Sequence, residues 1–209
     1  MNIAIVPVDR PSMLSTWIGT AKWLDAILLR LQCIREIDKI AICSPKCLDS
    51  SAISGSIDLE QIKFLSMPKG DLQRPLVRVC WEAAKSFAPG CILIGVDPMY
   101  PFLSQASVEK ALYAVDIEDF DSAVSTYGKH GIQLWANMHH MVVQQPVLCD
   151  ALVAVRYKTT TNLTEMTEYD KVDLGTRIYS VELTATEAIC AATDEGMHLA
   201  MLEGHNRGG

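Results

Sequence analysis

The stretch Cys91-Ile92-Leu93-Ile94-Gly95-Val96, running into Asp97-Pro98-Met99-Tyr100-Pro101-Phe102-Leu103-Ser104, decides how this sequence folds. Its first six residues show no polar alternation, which a strand tolerates only when both of its faces are covered. The run is too short for a helix, and it is bounded by Ala88-Pro89-Gly90 on one side and a proline-rich turn on the other. Just upstream, Leu76, Val79, Ala83 and Phe87 recur at helical spacing, predicting a helix from about Pro75 to Phe87. Pro75 suits its first turn, and Ala88-Pro89-Gly90 stops it. Just downstream, Ser104 is placed to cap a helix carrying Val108, Leu112 and Val115.

The same alternation of strand and helix governs the chain further out. Asn2 to Pro7 reads as a buried strand. Trp17, Ala21, Leu24, Leu28, Leu31 and Ile34 form one apolar stripe and predict a helix of about five turns. Lys39 to Cys43 and Ile62 to Leu65 read as further strands, the former joined to the first by a helical crossover and therefore parallel to it. After Asp119 the texture becomes strand-like, at Ser122–Tyr127, Ile132–Trp135, Ala151–Tyr157 and Arg177–Leu183. Thr193 then caps a last helix, with Leu199 and Leu202 expected inward and Gly204 expected to end it. The pattern implies an α/β domain over residues 1–203, a mostly parallel sheet with helices on both faces, and a small β lobe at about 120–175. Residues 204–209 read as a disordered tail.

Composition narrows the function classes. An apolar fraction of 49% and a charged fraction of 21% suit a globular chain. The net charge of −7 argues against a nucleic-acid binder, while leaving room for a nucleotide held by a few local donors. Seven cysteines without a C-x-x-C pair read as reduced thiols, and Cys33, Cys80 and Cys91 as small hydrophobes. The opening MNIAIVPVDR has no basic start, and no apolar run approaches the ~20 residues of a membrane helix. The expectation is a cytoplasmic protein without a membrane partner.

In a sheet of this kind ligands bind beyond the carboxyl ends of the strands. Three loops qualify: Pro7 to Thr20, Met67 to Arg74 and Asp97 to Ser104. The first holds Asp9 and Arg10, with Lys22 one or two turns into the predicted helix, so a phosphate could use Arg10, Lys22 and free helix N–H groups. No glycine-rich phosphate cradle is present, and an ordinary polar connection accounts for the same residues. In the second loop Lys69, Asp71 and Arg74 cluster, where Asp71 also fits a plain helix N-cap. Asp97, at the end of the most buried-looking strand, could hold a magnesium–nucleotide, since hard cations want oxygen ligands; it also suits a simple turn. His139 and His140 are neighbours on a strand and point to opposite faces, so they read as lobe surface. His198 reads as a surface residue, and Met99, Met138 and Met141 as packing.

The Gly95–Ser104 stretch resembles the P-T-S-P-F-L-S or P-T-S-P-L-R segment of the acylneuraminate cytidylyltransferases, and more loosely the G-D-E-P of their deoxy-octulosonate relatives. The likeness extends in register over most of the chain. Met1 to Pro7 and Ile37-Asp38-Lys39-Ile40 resemble the family's opening strand and its "iDxIvvsT" strand. Gly70-Asp71 resembles "gD", Asp121-Ser122-Ala123-Val124 with Trp135 resembles "DSvftV…W", and Glu187 to Glu195 resembles "EaIDIDTpeD". The resemblance implies a three-layer αβα, GT-A-like nucleotide-diphospho-sugar transferase fold. It also implies transfer of CMP from CTP to an acidic sugar, with magnesium and release of pyrophosphate, the metal and basic side chains stabilising the charge.

The departures from that family matter as much. The opening "R-x-G-S-K-G-x-P-x-K-N" loop, which supplies triphosphate contacts, has no counterpart in Asp9 to Ile18. The "DID" carboxylates fall on Cys190 and Ala192, the residue before P-T-S-P falls on Asp97, and the arginine of P-L-R falls on Leu103. Two readings follow. One is a divergent cytidylyltransferase binding nucleotide through Arg10, Lys22, Asp71, Arg74, Asp97 and Tyr100, with Asp97 on the metal. The other is a catalytically silent binding or assembly module. In either, a homodimer or a pairing with an active relative is expected, with Trp135, Met138 and Met141 as apolar anchors. A second carboxylate near Asp97, such as Asp71, Glu187 or Asp194, would favour the enzyme.

Overall fold

A computed structural model describes residues 1–10, 15–19, 21–46, 48, 51, 53–127, 131–133, 142–144, 147–157 and 174–207. The predicted anchors of Trp135, Met138 and Met141, and the pair His139 and His140, lie outside them. Strand β1 (Asn2–Pro7) begins the sheet and is followed by a short hairpin of β2 (Trp17–Ile18) and β3 (Ala21–Lys22). Helix α1 (Trp23–Gln32), β4 (Lys39–Ser44) and β5 (Ile62–Ser66) come next. Then follow α2 (Lys69–Leu72), α3 (Leu76–Ala84), β6 (Ile92–Val96) and α4 (Gln105–Asp116). Strands β7 (Ser122–Tyr127), β8 (Gly131–Gln133), β9 (Val142–Gln144), β10 (Val147–Arg156) and β11 (Ile178–Leu183) precede the last helix, α5 (Asp194–Arg207).

Among the described residues seven strands form the main sheet, in the order β11-β7-β10-β6-β1-β4-β5. The block β6-β1-β4-β5 is parallel throughout, β10 runs antiparallel between β6 and β7, and β11 is parallel to β7. Alternate residues of the central strands enter two separate cores. Ala4, Val6, Ile92 and Ile94 pack with α1 and α4, while Ile3, Ile5, Cys91 and Leu93 pack with α3. Both faces are therefore dry, which is the physical reason these strands carry no polar alternation.

Two helices differ from the sequence expectation. Helix α1 starts at Trp23, and Trp17 sits 55% exposed in the hairpin ahead of it. Gly19, at φ +65, turns that hairpin, a conformation that breaks the helical stripe at no steric penalty. Helix α5 runs on through Gly204 to Arg207, so this part of the expected tail is helical. It also turns the other way: Leu199 and Leu202 are 47% and 52% exposed, while Gly196, Ala200 and Gly204 face the body. The cause is close approach. A Cβ on Gly204 would stand 2.7 Å from the Gly19 nitrogen and 2.8 Å from Ile18 Cγ2. We therefore expect Gly204→Val to lose roughly 1–3 kcal/mol through overpacking. That loss would appear as a Tm lowered by about 2–10 °C in thermal unfolding.

The six described cysteines are free thiols. Cys80 and Cys91 are buried, as their apolar settings imply, but Cys33 is exposed at the end of α1. No described helix is long and apolar enough to cross a membrane.

Candidate functional site

The chain passes from β1 outward to β4 and β5, then returns to β6 on the other side of β1, so strand order reverses between β1 and β6. An open cleft of about 400 Å³ lies at their carboxyl ends, lined among others by Asp9, Arg10, Arg74, Asp97, Asp150 and Ala192. This is where a doubly wound sheet leaves room for a ligand.

The loop after β6 is held from α1. The Trp23 indole N–H donates to the Pro98 carbonyl at 2.6 Å. The Arg30 guanidinium donates to the carbonyls of Pro101 and Leu103, the latter at 2.6 Å. Asp97 folds back on its own turn, its Oδ1 accepting from the Met99 N–H at 2.8 Å. At the far end Ser104 caps α4 by accepting from the Ser107 N–H at 3.1 Å. Glu187 locks that cap, its carboxylate accepting from the Ser104 N–H, the Ser107 hydroxyl, and both the N–H and hydroxyl of Thr184.

Three carboxylates converge on the cleft. Burial raises the Asp97 carboxyl to about 7; the Met99 N–H opposes this, and the nearby charges of Asp150 and Asp9 add to it. Asp150, at the start of β10, is raised by burial as well, although its oxygens accept from the Leu76 N–H at 3.0 and 3.3 Å. It thereby caps α3. The two arginines are partly engaged. Arg10 donates to the Ala192 carbonyl at 3.3 Å and lies 4.0 Å from Asp9, and Arg74 lies 3.2 Å from Asp71.

Of the sequence-predicted site residues, Arg10, Arg74 and Asp97 meet in this cleft. Asp71 stands behind Arg74 as its ion-pair partner. Lys22 and Tyr100 do not line the cleft: Lys22 ends the β2–β3 hairpin, and Tyr100 packs beside Cys149 and Cys190. The carboxylates expected as partners for Asp97 lie elsewhere. Glu187 is committed to the α4 cap, Asp71 to Arg74, and Asp194 sits in the exposed first turn of α5. The carboxylates near Asp97 are Asp150 and Asp9. Asp150 gave no motif signal; its one hint was an acidic residue opening the apolar run Ala151–Val155. Trp23 and Arg30 lie within the predicted helix but outside its apolar stripe, and only their long-range bonds to the 97–104 loop reveal them as its supports.

No protein-family model matches the chain, and no curated protein sequence does either. Solved structures do share its fold. The chain matches the 4-diphosphocytidyl-2C-methyl-D-erythritol synthase of Anaerococcus prevotii at TM-score 0.68 and 15% identity, over 97% of each chain. It matches CMP:2-keto-3-deoxy-manno-octonic acid synthetase complexed with CTP at TM-score 0.67 and 11% identity, over 98% of this chain and 99% of that one. The 2-C-methyl-D-erythritol 4-phosphate cytidylyltransferase of Thermus thermophilus matches at TM-score 0.62 and 14% identity, with 98% and 99% covered. The chain thus shares the α/β fold of these cytidylyltransferase structures over nearly all of its length, and identities this low establish the fold alone.

Proposed function

We propose that the protein binds a cytidine nucleotide in the β1/β6 cleft, as a divergent cytidylyltransferase whose acceptor is an acidic sugar. The observation that supports this reading is the convergence of Asp97, Arg10 and Arg74 on one cleft, at the switch point of a sheet shared in full length with cytidylyltransferases. Arg10 and Arg74 would take the phosphates. They reach the ligand by giving up exposed, weak contacts, since each side chain is about half exposed.

Magnesium fits this cleft in one form only. Among the described residues no group of three or more His, Cys, Asp or Glu side chains could cage a metal. Magnesium commonly takes one or two carboxylates and completes its shell with substrate phosphates and water. Asp97 and Asp150 suit that partial role, so the metal would arrive with the nucleotide and supply charge neutralisation at the phosphates.

The second reading, a silent binding or assembly module, draws on Ala192. It lines the cleft where the family pattern places a carboxylate, and it offers no side-chain oxygen. Thermal unfolding with CTP, UTP, ATP and GTP, each with and without magnesium, tests the proposal. CTP with magnesium at 100 times its dissociation constant should add about 2.7 kcal/mol, raising Tm by roughly 5–10 °C. Arg10→Ala and Arg74→Ala should each weaken that shift. Equal responses to all four nucleotides, or a CTP shift untouched by both variants, would sink the site assignment. Pyrophosphate release with sialic or deoxy-octulosonic acid separates the readings, since binding without release favours the silent module.

A further inference from the structure

A second concavity, of about 870 Å³, lies on the outer side of α4, away from the cleft. Tyr113 and Ile117, one helical turn apart, are 55% and 64% exposed within it, and Tyr179 of β11 contributes a third apolar surface. Large side chains are normally scattered singly over a surface, so adjacent ones in a concave setting mark a place of contact.

Charge decides what the groove accepts. Its lining includes four carboxylates, Glu36, Glu109, Asp116 and Glu118, against the single amine of Lys110. Among the described residues none of these four is in an ion pair. The neighbouring Arg177 rests over the Phe120 ring and donates to the carbonyls of Asp119 and Glu118, so its donors serve the backbone. Glu109 accepts from the Gln105 side-chain amide at 2.6 Å, but among the described residues none of the four meets a cation, and covering them with a neutral or acidic surface would strip their water without compensating charge. A second copy of this chain, meeting the same face by two-fold symmetry, would bring four carboxylates against four.

We infer that this groove docks a basic amphipathic helix from a partner polypeptide. Apolar residues at i, i+4 and i+7 would seat on Tyr113, Ile117 and Tyr179, and flanking lysines or arginines would meet the acidic rim. A single short helix seated on three apolar side chains and held by an acidic rim makes a small contact, so the association is transient and salt-sensitive.

The test uses a fluorescein-labelled 14-residue peptide with leucine at i, i+4 and i+7 and lysine at the flanks, read by fluorescence anisotropy against the whole chain. A peptide with glutamate in place of lysine serves as control. The lysine peptide should bind and weaken at least tenfold between 50 and 300 mM salt, an order set by screening of several ion pairs. Ile117→Arg and the double variant Glu109→Lys/Asp116→Lys should each weaken it at least tenfold, with Tm and any CTP response kept. Four results would overturn the inference: no binding by the lysine peptide, equal binding of the glutamate peptide, equal binding by both variants, or self-association of the chain that Ile117→Arg abolishes.

Discussion

Asp97→Asn is expected to stabilise the protein at pH 8 while removing its response to CTP and magnesium. Burial holds the Asp97 carboxyl at about 7, well above its ordinary value of 3.8. A carboxyl raised in the folded state favours folding while it stays protonated, below its unfolded pKa. That advantage is lost as pH rises through the folded value. At pH 8 the ionised Asp97 therefore weighs against the fold by about 2–4 kcal/mol, allowing for its partial exposure. Asparagine keeps an oxygen for the Met99 N–H and cannot ionise. Its Tm should exceed the parent's by roughly 5–15 °C at pH 8, and the gap should close towards pH 4. A gap that is constant with pH would show that Asp97 is not held out of water. Under the proposed function the two halves of the prediction belong together, because the charge the fold resists is the one the nucleotide and its metal would use.

Glu187→Ala is expected to be the most damaging single truncation outside the apolar cores. Burial by itself would raise the Glu187 carboxyl, but the donors of Ser104, Ser107 and Thr184 outweigh it and hold the group at about 2. A depressed folded value contributes stability that is full above the ordinary 4.5 and lost as pH falls towards 2. That interval is worth on the order of 3 kcal/mol. Alanine also strands the Ser104 and Thr184 N–H groups, so a loss of about 3–5 kcal/mol is expected at pH 7. Urea unfolding at pH 7 and pH 3 checks it: the parent's advantage over the variant should shrink between these values, because both proteins share every other titrating group. Because Ser104 ends the loop that begins at Asp97, the CTP response should fall with it. A variant that unfolds like the parent at both pH values would show that the cap holds without Glu187.

Much of the architecture was legible in local pattern. The apolar runs Asn2–Pro7, Lys39–Cys43 and Cys91–Val96 stand as β1, β4 and β6 at or within one residue of their expected bounds. Ser104 caps α4 as its position promised. These features depend on neighbours in sequence: a run of side chains long enough for a strand, a hydroxyl three residues before an orphan N–H. The two loops bearing Arg10 and Asp97 were legible for the same reason, since they follow the ends of β1 and β6 in a parallel sheet.

What the sequence determined by itself, then, is the α/β class, the central strands and the strand ends that border the cleft, because periodicity and capping are written into adjacent residues. Tertiary structure alone decided that Asp150 reaches the cleft, that Trp23 and Arg30 brace its loop, that Glu187 belongs to a cap, and that α5 turns its leucines outward. Each of these rests on contacts between residues far apart in the chain. The Gly204–Gly19 approach makes the point in one contact: the residue that reads as a helix stop is there because two backbones meet, and no local pattern carries the position of the second backbone.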